Sequence, residues 1–195
     1  MPNPAAAAAA KINLRTPNGV LSYPSLLSPR TMQGQTEPMF SMVLVFSATD
    51  LQTEEFKKLK AEAGRVARER WADKLPPTLK SPFRNNSDKD VEPFISNPKG
   101  MFLSLRSKQK PGVVDEKRNE ILTVEEIWSG QIWRGSVRAF AYDQAGNRGV
   151  SFALINCQRV KRDCTRIDGR VPANKDFDDI ETGDDEVETS EESIF

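Results

Sequence analysis

The chain has 195 residues, enough for one domain with a hydrophobic core and for appendages at its ends. Only 37% of them are hydrophobic, and there is no histidine, no CxxC pair, no glycine-rich phosphate loop and no GxSxG elbow, so the pattern reads as a non-enzyme. The formal charge of zero conceals a split: ten of the 28 acidic residues lie between Asp176 and Phe195, which holds no basic residue, leaving 18 acidic against 28 basic side chains in the rest.

The start, MPNPAAAAAAK, is of low complexity. Residues 1–11 are expected to be a disordered segment, 12–175 the folded domain and 176–195 a disordered acidic tail. The alanine run Ala5–Ala10 lacks a basic leader and a bulky apolar stretch, so it makes a poor signal peptide. No apolar run is long enough to span a bilayer, and the expectation is a soluble, cytosolic protein.

GVLSYP at Gly19–Pro24 reads as a short strand whose Leu21 and Tyr23 share one face. Met39–Ala48 (MFSMVLVFSA) is apolar throughout, which predicts a central strand buried on both faces. Thr53–Asp73 is the one clear helix. Thr53 is the N-cap and Glu54 and Glu55 lie in the first turn. Phe56, Leu59, Ala63, Val66, Ala67 and Trp71 form its apolar stripe, and Pro76 and Pro77 bar its continuation. Thr78–Lys99, with Pro82, Pro93 and Pro98, reads as a long loop.

Met101–Arg106 predicts a strand that runs into the basic loop Ser107–Gly112. Trp128, just before the last strands, is either a stacking platform or a core plug, and the second is preferred. Gln131–Tyr142 and Gly149–Lys161 form a long hairpin joined by Asp143–Arg148, where Gly146-Asn147 tolerates positive φ. One main helix among several strands predicts a mainly β fold, a small barrel with an inserted helix. Cys157 and Cys164, with no secretion signal, read as reduced thiols.

Period-two alternation places Arg134, Ser136, Arg138, Phe140 and Tyr142 on one face of the first hairpin strand, and Trp133, Val137, Ala139 and Ala141 on the other. Guanidinium groups hold phosphates and aromatic rings stack on unpaired bases, so the first face suits single-stranded nucleic acid. A β-bulge near Gly135 would exchange the faces and send both rings into the core. Arg106, Lys108 and Lys110 add charge that flanks this surface. Arg148 at the hairpin tip and Arg159, Lys161 and Arg162 at its far end are weaker candidates. No metal or cofactor is expected. Asp115, Glu116, Glu120, Glu125 and Glu126 lack metal-loop spacing and read as a solvated surface.

The tail cannot bury enough apolar surface to fold, and its carboxylates imitate a phosphodiester backbone. It can therefore compete for the basic surface, with Asp184, Asp185, Glu186, Glu191 and Glu192 as the acidic stretch. Ile194 and Phe195 beside the terminal carboxylate suit a partner pocket with an apolar floor and a basic rim. A plain solubility tail is the other reading, and it leaves the terminal aromatic unexplained.

GVLSYPSL at Gly19–Leu26, FSMVLVF at Phe40–Phe46, a helix reaching Trp71, KPGVVD at Lys110–Asp115, the block Ser129–Lys161 and NKDF at Asn174–Phe177 occur in order. Together they resemble a family of phage OB-fold single-stranded DNA-binding proteins. The resemblance implies a five-stranded OB-fold barrel, DNA binding, and a setting in the cytoplasm of the infected host. The tail is similar to the acidic, phenylalanine-ended tails of replication single-strand binders of short-tailed phages, which implies a phage DNA polymerase or helicase-primase as partner. The polyalanine start and the Asn85–Asp90 stretch depart from the family pattern. The competing expectations are a protein–protein adaptor or structural phage protein on the same barrel, and a carboxylate-metal nuclease.

Overall fold

The computed structural model describes residues 13–167, apart from 32, 33, 35, 73 and 145. Among these residues the elements run β1 (Leu14–Arg15), β2 (Gly19–Arg30), β3 (Met39–Phe46), α1 (Glu54–Trp71), β4 (Arg84–Asn85), β5 (Met101–Ser107), β6 (Gly112–Val114), β7 (Ile132–Gln144) and β8 (Asn147–Lys161). The strands β7, β2, β3, β5 and β8 pair in that order, and β8 pairs again with β7. Five strands thus close into a near-barrel ring. The short β1 and β6 lie against β7 and β8, and β4 pairs with β5.

The ring's interior is filled by alternate residues of its strands. Leu21, Met42, Leu44, Leu105, Trp133 and Val137 are completely buried, with Leu103 and Leu154 nearly so. Each contributes about 1.5–3 kcal/mol of transfer free energy. The helix adds Phe56, Leu59, Ala63, Val66 and Ala67 to the same core, so the stripe read from spacing is the packing face, and Trp71 packs at its margin. Thr53 caps it by accepting the Phe56 amide at 3.4 Å. Glu62 also falls in the buried stripe, where Arg65 holds its two oxygens at 2.8 Å and keeps its carboxyl below the usual glutamate range.

The expectation that Leu21 and Tyr23 share a face fails. The strand continues to Arg30, and its register with β3 slips between Ser22↔Val43 and Ser25↔Ser41, so Tyr23 and Pro24 together oppose Met42. Leu21 is buried, whereas Tyr23 is 60% exposed with φ 47. A left-handed backbone on a non-glycine residue costs about 1–2 kcal/mol. Pro24 deepens the conflict, because the residue before a proline is pushed toward extended conformations.

The stretch Thr78–Lys99 is more ordered than a loop. It contains β4, a short 3-10 turn at Asn86–Asp88 and a second apolar cluster in which Phe94 meets Phe102 edge-on at 5.1 Å, over Val45. This cluster covers the outer side of β3 near Phe46. Burial of β3 on both faces is therefore local to that end. Within the Asn85–Asp90 stretch, Asn86 is buried and its side-chain amide donates to the carbonyls of Phe46 (3.1 Å) and Asn97 (2.8 Å), fastening the segment to β3.

The hairpin is tighter than the six-residue connection expected from Asp143–Arg148. Pairing continues to Gln144↔Asn147, and Gly146 between them has φ 81. Trp128 is half-buried, neither plug nor open platform. Its indole N–H donates to the Cys164 carbonyl at 3.4 Å, and the Arg166 guanidinium lies 5.3 Å from its ring centre. Both cysteines are free thiols, and burial pushes the Cys157 thiol up to about 12.

Candidate nucleic-acid interface

One lateral row of residues runs across all five ring strands: Ser25 pairs with Ser41, Ser41 with Arg106, Arg106 with Ala153, and Ala153 with Arg138. Their inward neighbours Leu26, Met42, Leu105, Leu154 and Val137 are at most 2% exposed, whereas Ser41, Arg106, Ala153 and Arg138 are half-buried, so the row lies on the outer side of the barrel, with Ser25 covered at its β2 end. Arg106 and Arg138 are separated by a single strand. Their Cα atoms are about 10 Å apart at ordinary strand spacing.

The faces of β7 fall as alternation predicts. Trp133, Gly135 and Val137 are buried, while Arg134, Ser136 and Arg138 are half-buried and Phe140 is 43% exposed. Register irregularities do occur near Ile132 and Ser136, but the extra residues are Val160 and Ile155 on β8. The bulges displace β8 and leave the alternation of β7 intact. Phe140 stands opposite Ser151 and Tyr142 opposite Gly149. Any Cβ at Gly149 would collide with the Tyr142 ring and hydroxyl, so the glycine makes room for that ring to lie across β8. Ser41, Ser104, Ser151 and Ala153 provide a low floor between the arginines and the rings.

The cations differ in how their charge is compensated. Arg138 donates twice to the Asn13 amide oxygen (3.2 and 2.9 Å), and Arg134 donates twice to Gln158 Oε1 (3.1 and 2.6 Å). Both partners are neutral, so among the described residues both guanidinium groups are oriented without being neutralised. Arg106 and Lys110 make no ion pair or side-chain hydrogen bond among the described residues. Lys108 is paired with Glu37 at 2.5 Å and Arg148 with Asp143 at 3.0 Å. These two carry less free charge than their positions on the surface suggest.

Arg106, Arg138, Phe140 and Tyr142 therefore come together on the outer face, with Lys108 and Lys110 following from the end of β5. Arg134 is set apart, four residues and roughly 13 Å along β7 from Arg138. Arg159, a weaker candidate from sequence, is withdrawn from any surface role. It is 3% exposed and its guanidinium donates to Glu116 (3.0 and 3.2 Å) and to the Glu126 carbonyl (3.2 Å). Of the carboxylates read as a solvated surface, Glu120 and Glu125 are exposed, whereas Arg159 holds the Glu116 carboxyl below its usual range and Asp115 accepts from the Asn119 side chain and the Lys117 amide. Asp184, Asp185, Glu186, Glu191, Glu192, Ile194 and Phe195 lie outside the described residues.

One cation escaped sequence reasoning. Arg84 of β4 donates to the Ser104 hydroxyl at 2.9 Å and lies 4.9 Å from the Phe102 ring centre, at the edge of the small-residue floor. It belongs to the stretch read as loop, and only its pairing with β5 brings it to this face.

The sequence profile of a family described as the ssDNA-binding protein of Enterobacter phage Enc34 matches residues 12–188. No curated protein matches the chain. Among solved structures, the single-stranded DNA-binding protein of bacteriophage Enc34 in complex with ssDNA is similar over 76% of this chain and 86% of its own, with 19% identity and a TM-score of 0.62. The single-stranded DNA-binding protein gp2.5 of bacteriophage T7 is similar over 89% and 98%, with 15% identity and a TM-score of 0.60. These likenesses support the OB-like fold expected from the motif order. With a five-strand ring carrying one helix, and a profile match over most of its length, the chain belongs to the Enc34 family of phage ssDNA-binding proteins.

Proposed function

We propose that the protein binds single-stranded DNA with little regard to sequence, as a non-enzymatic phage protein that protects unpaired strands during replication, recombination or repair in the host cytoplasm. One observation carries the reading: Arg106 and Arg138, neither paired with a carboxylate among the described residues, flank Ala153 beside the exposed Phe140 ring. Cations at that spacing engage successive phosphates, and a ring above a floor of small side chains can stack on a base. Tyr142, Arg134, Lys108, Lys110 and Arg148 are proposed as outlying contacts along the same strip.

The segment Asp176–Phe195 is proposed to compete with DNA for this strip and to engage a replication partner, a polymerase or helicase-primase, through Ile194 and Phe195. Ten carboxylates opposite a basic domain support the competition, and a terminal apolar pair supports the partner contact. The domain and tail are accordingly read as 12–175 and 176–195.

The test is a titration of labelled oligo(dT) with unlabelled single strands, duplex and polyphosphate as competitors. Single strands should displace the label far better than polyphosphate. Equal displacement would leave a general polyanion binder or an adaptor.

A further inference from the structure

We infer that Tyr23 is a base-stacking residue, and that the DNA path crosses the barrel from the β7–β8 hairpin over β3 and β5 to the bulge in β2. The inference rests on the single-strand binding proposed above and adds a contact on a strand which that reading leaves unused.

Tyr23 combines two features that packing does not explain. Its backbone has φ 47, and its side chain is 60% exposed. Glycine is the usual occupant of a left-handed position in a bulge, because it has no Cβ to clash. Pro24 makes such a conformation harder still for the residue before it. Backbone strain of this kind persists where the surroundings enforce it, and it gathers at binding sites. Here the enforcement is visible: Ser22↔Val43 and Ser25↔Ser41 fix the ladder on either side, and buried Leu21 and Leu26 anchor the flanks.

The direction of the ring follows from its neighbours. Met42, opposite the bulge, is fully buried, so the inward side is occupied and the exposed Tyr23 ring turns away from the core. It leaves the barrel between the rows Ser22–Val43–Ser104 and Ser25–Ser41–Arg106, whose β2 members Ser22 (2% exposed) and Ser25 (7%) are themselves covered, so that Tyr23 is the exposed side chain at this point of β2. Crossing from there by way of Arg106 and Ala153 leads to Arg138, with Phe140 one pleat further on. Four strand spacings separate β2 from β7 on this route, roughly 19 Å along the surface. Two exposed rings thus bracket Arg106, which has no ion pair among the described residues, across a floor of Ser41, Ser104, Ser151 and Ala153.

The experiment measures oligo(dT) affinity and thermal melting for Tyr23→Gly, Tyr23→Phe and Phe140→Ala beside the full-length wild type. Tyr23→Gly should bind roughly 5- to 150-fold more weakly, the range for loss of one stacked base, yet melt no lower, since glycine relieves the backbone. Tyr23→Phe keeps the ring and should bind like wild type. If Tyr23→Gly binds as tightly as wild type while Phe140→Ala is weakened, the Tyr23 assignment is wrong and the outer-face reading stands. If neither variant is weakened, both are wrong. Photo-cross-linking of the wild type to iodouridine-substituted oligo(dT) gives an answer independent of variant folding. An adduct on the Tyr23 peptide supports the contact, and adducts confined to other peptides overturn it.

Discussion

Arg106 on β5 and Arg138 on β7 face outward on either side of Ala153, 32 residues apart in sequence and one strand apart in space. Neither is opposed by a carboxylate among the described residues. Both charges are therefore available to a polyanion. Replacing either with alanine should weaken single-strand binding and lower the slope of log affinity against log salt by about 0.7, the contribution of one neutralised phosphate on a single strand. The double variant should lose about twice that. An unchanged slope in a salt series would place these arginines off the DNA path.

Phe140→Ala tests stacking separately from charge. The ring is 43% exposed and opposite Ser151, so its loss opens little of the core. Affinity for oligo(dT) should fall by about 1–3 kcal/mol while stability changes by about 0.5 kcal/mol or less. A large drop in melting temperature would instead make the ring part of the packing.

Arg159 should behave in the opposite way. Buried among Glu116, the Glu126 carbonyl and the barrel wall, it holds β8 to the segment before β7. Arg159→Ala should cost about 2–3 kcal/mol of stability, because it strands polar partners that the guanidinium now satisfies, and this is discounted for the part-exposed Glu116. DNA affinity of the folded fraction should hardly move. Chemical denaturation paired with anisotropy separates the two effects.

The same contact predicts a pH dependence. Arg159 lowers the Glu116 carboxyl from its ordinary value of 4.5, so the folded state favours the ionised form. A depressed carboxyl contributes stability that is present above its unfolded value and lost as pH falls through the folded one. Stability measured from pH 6 downward should therefore decline below about 4.5, and Glu116→Gln should make that acid limb shallower. An identical acid limb in the variant would remove Glu116 from the account.

Deleting Asp176–Phe195 should tighten binding to oligo(dT), on the order of tenfold at low salt, if the acidic segment acts as a tethered competitor. Salt screens the tail as well as the DNA, so the advantage of the truncated form should shrink as salt rises. A truncated protein with unaltered affinity at every salt concentration would leave the segment to partner binding alone.

Much of the fold was legible because it is local. Period-two alternation in Ile132–Tyr142, helical spacing from Phe56 to Trp71 and the Gly146 turn each depend on residues within a few positions of one another. The structure agrees with the faces, the helix and the hairpin they imply. What reading along the chain misplaced lay at irregularities: the β2 bulge that turns Tyr23 outward beside buried Leu21, and the Phe94 cluster inside a stretch dense in prolines. A bulge is set by pairing with the neighbouring strand, and composition along one strand carries no mark of it.

Sequence by itself determined which residues are charged or aromatic, which face of β7 they occupy, and that a basic body precedes an acidic end, since covalent order and backbone periodicity suffice for these. Only tertiary structure decided which charges remain free. Strand register set Arg106 beside Arg138, while contacts spanning 43 residues between Glu116 and Arg159 took a guanidinium of the same chemistry out of use. A side chain's charge is written in the chain, but whether a counter-charge sits within 4 Å depends on where distant strands are brought together.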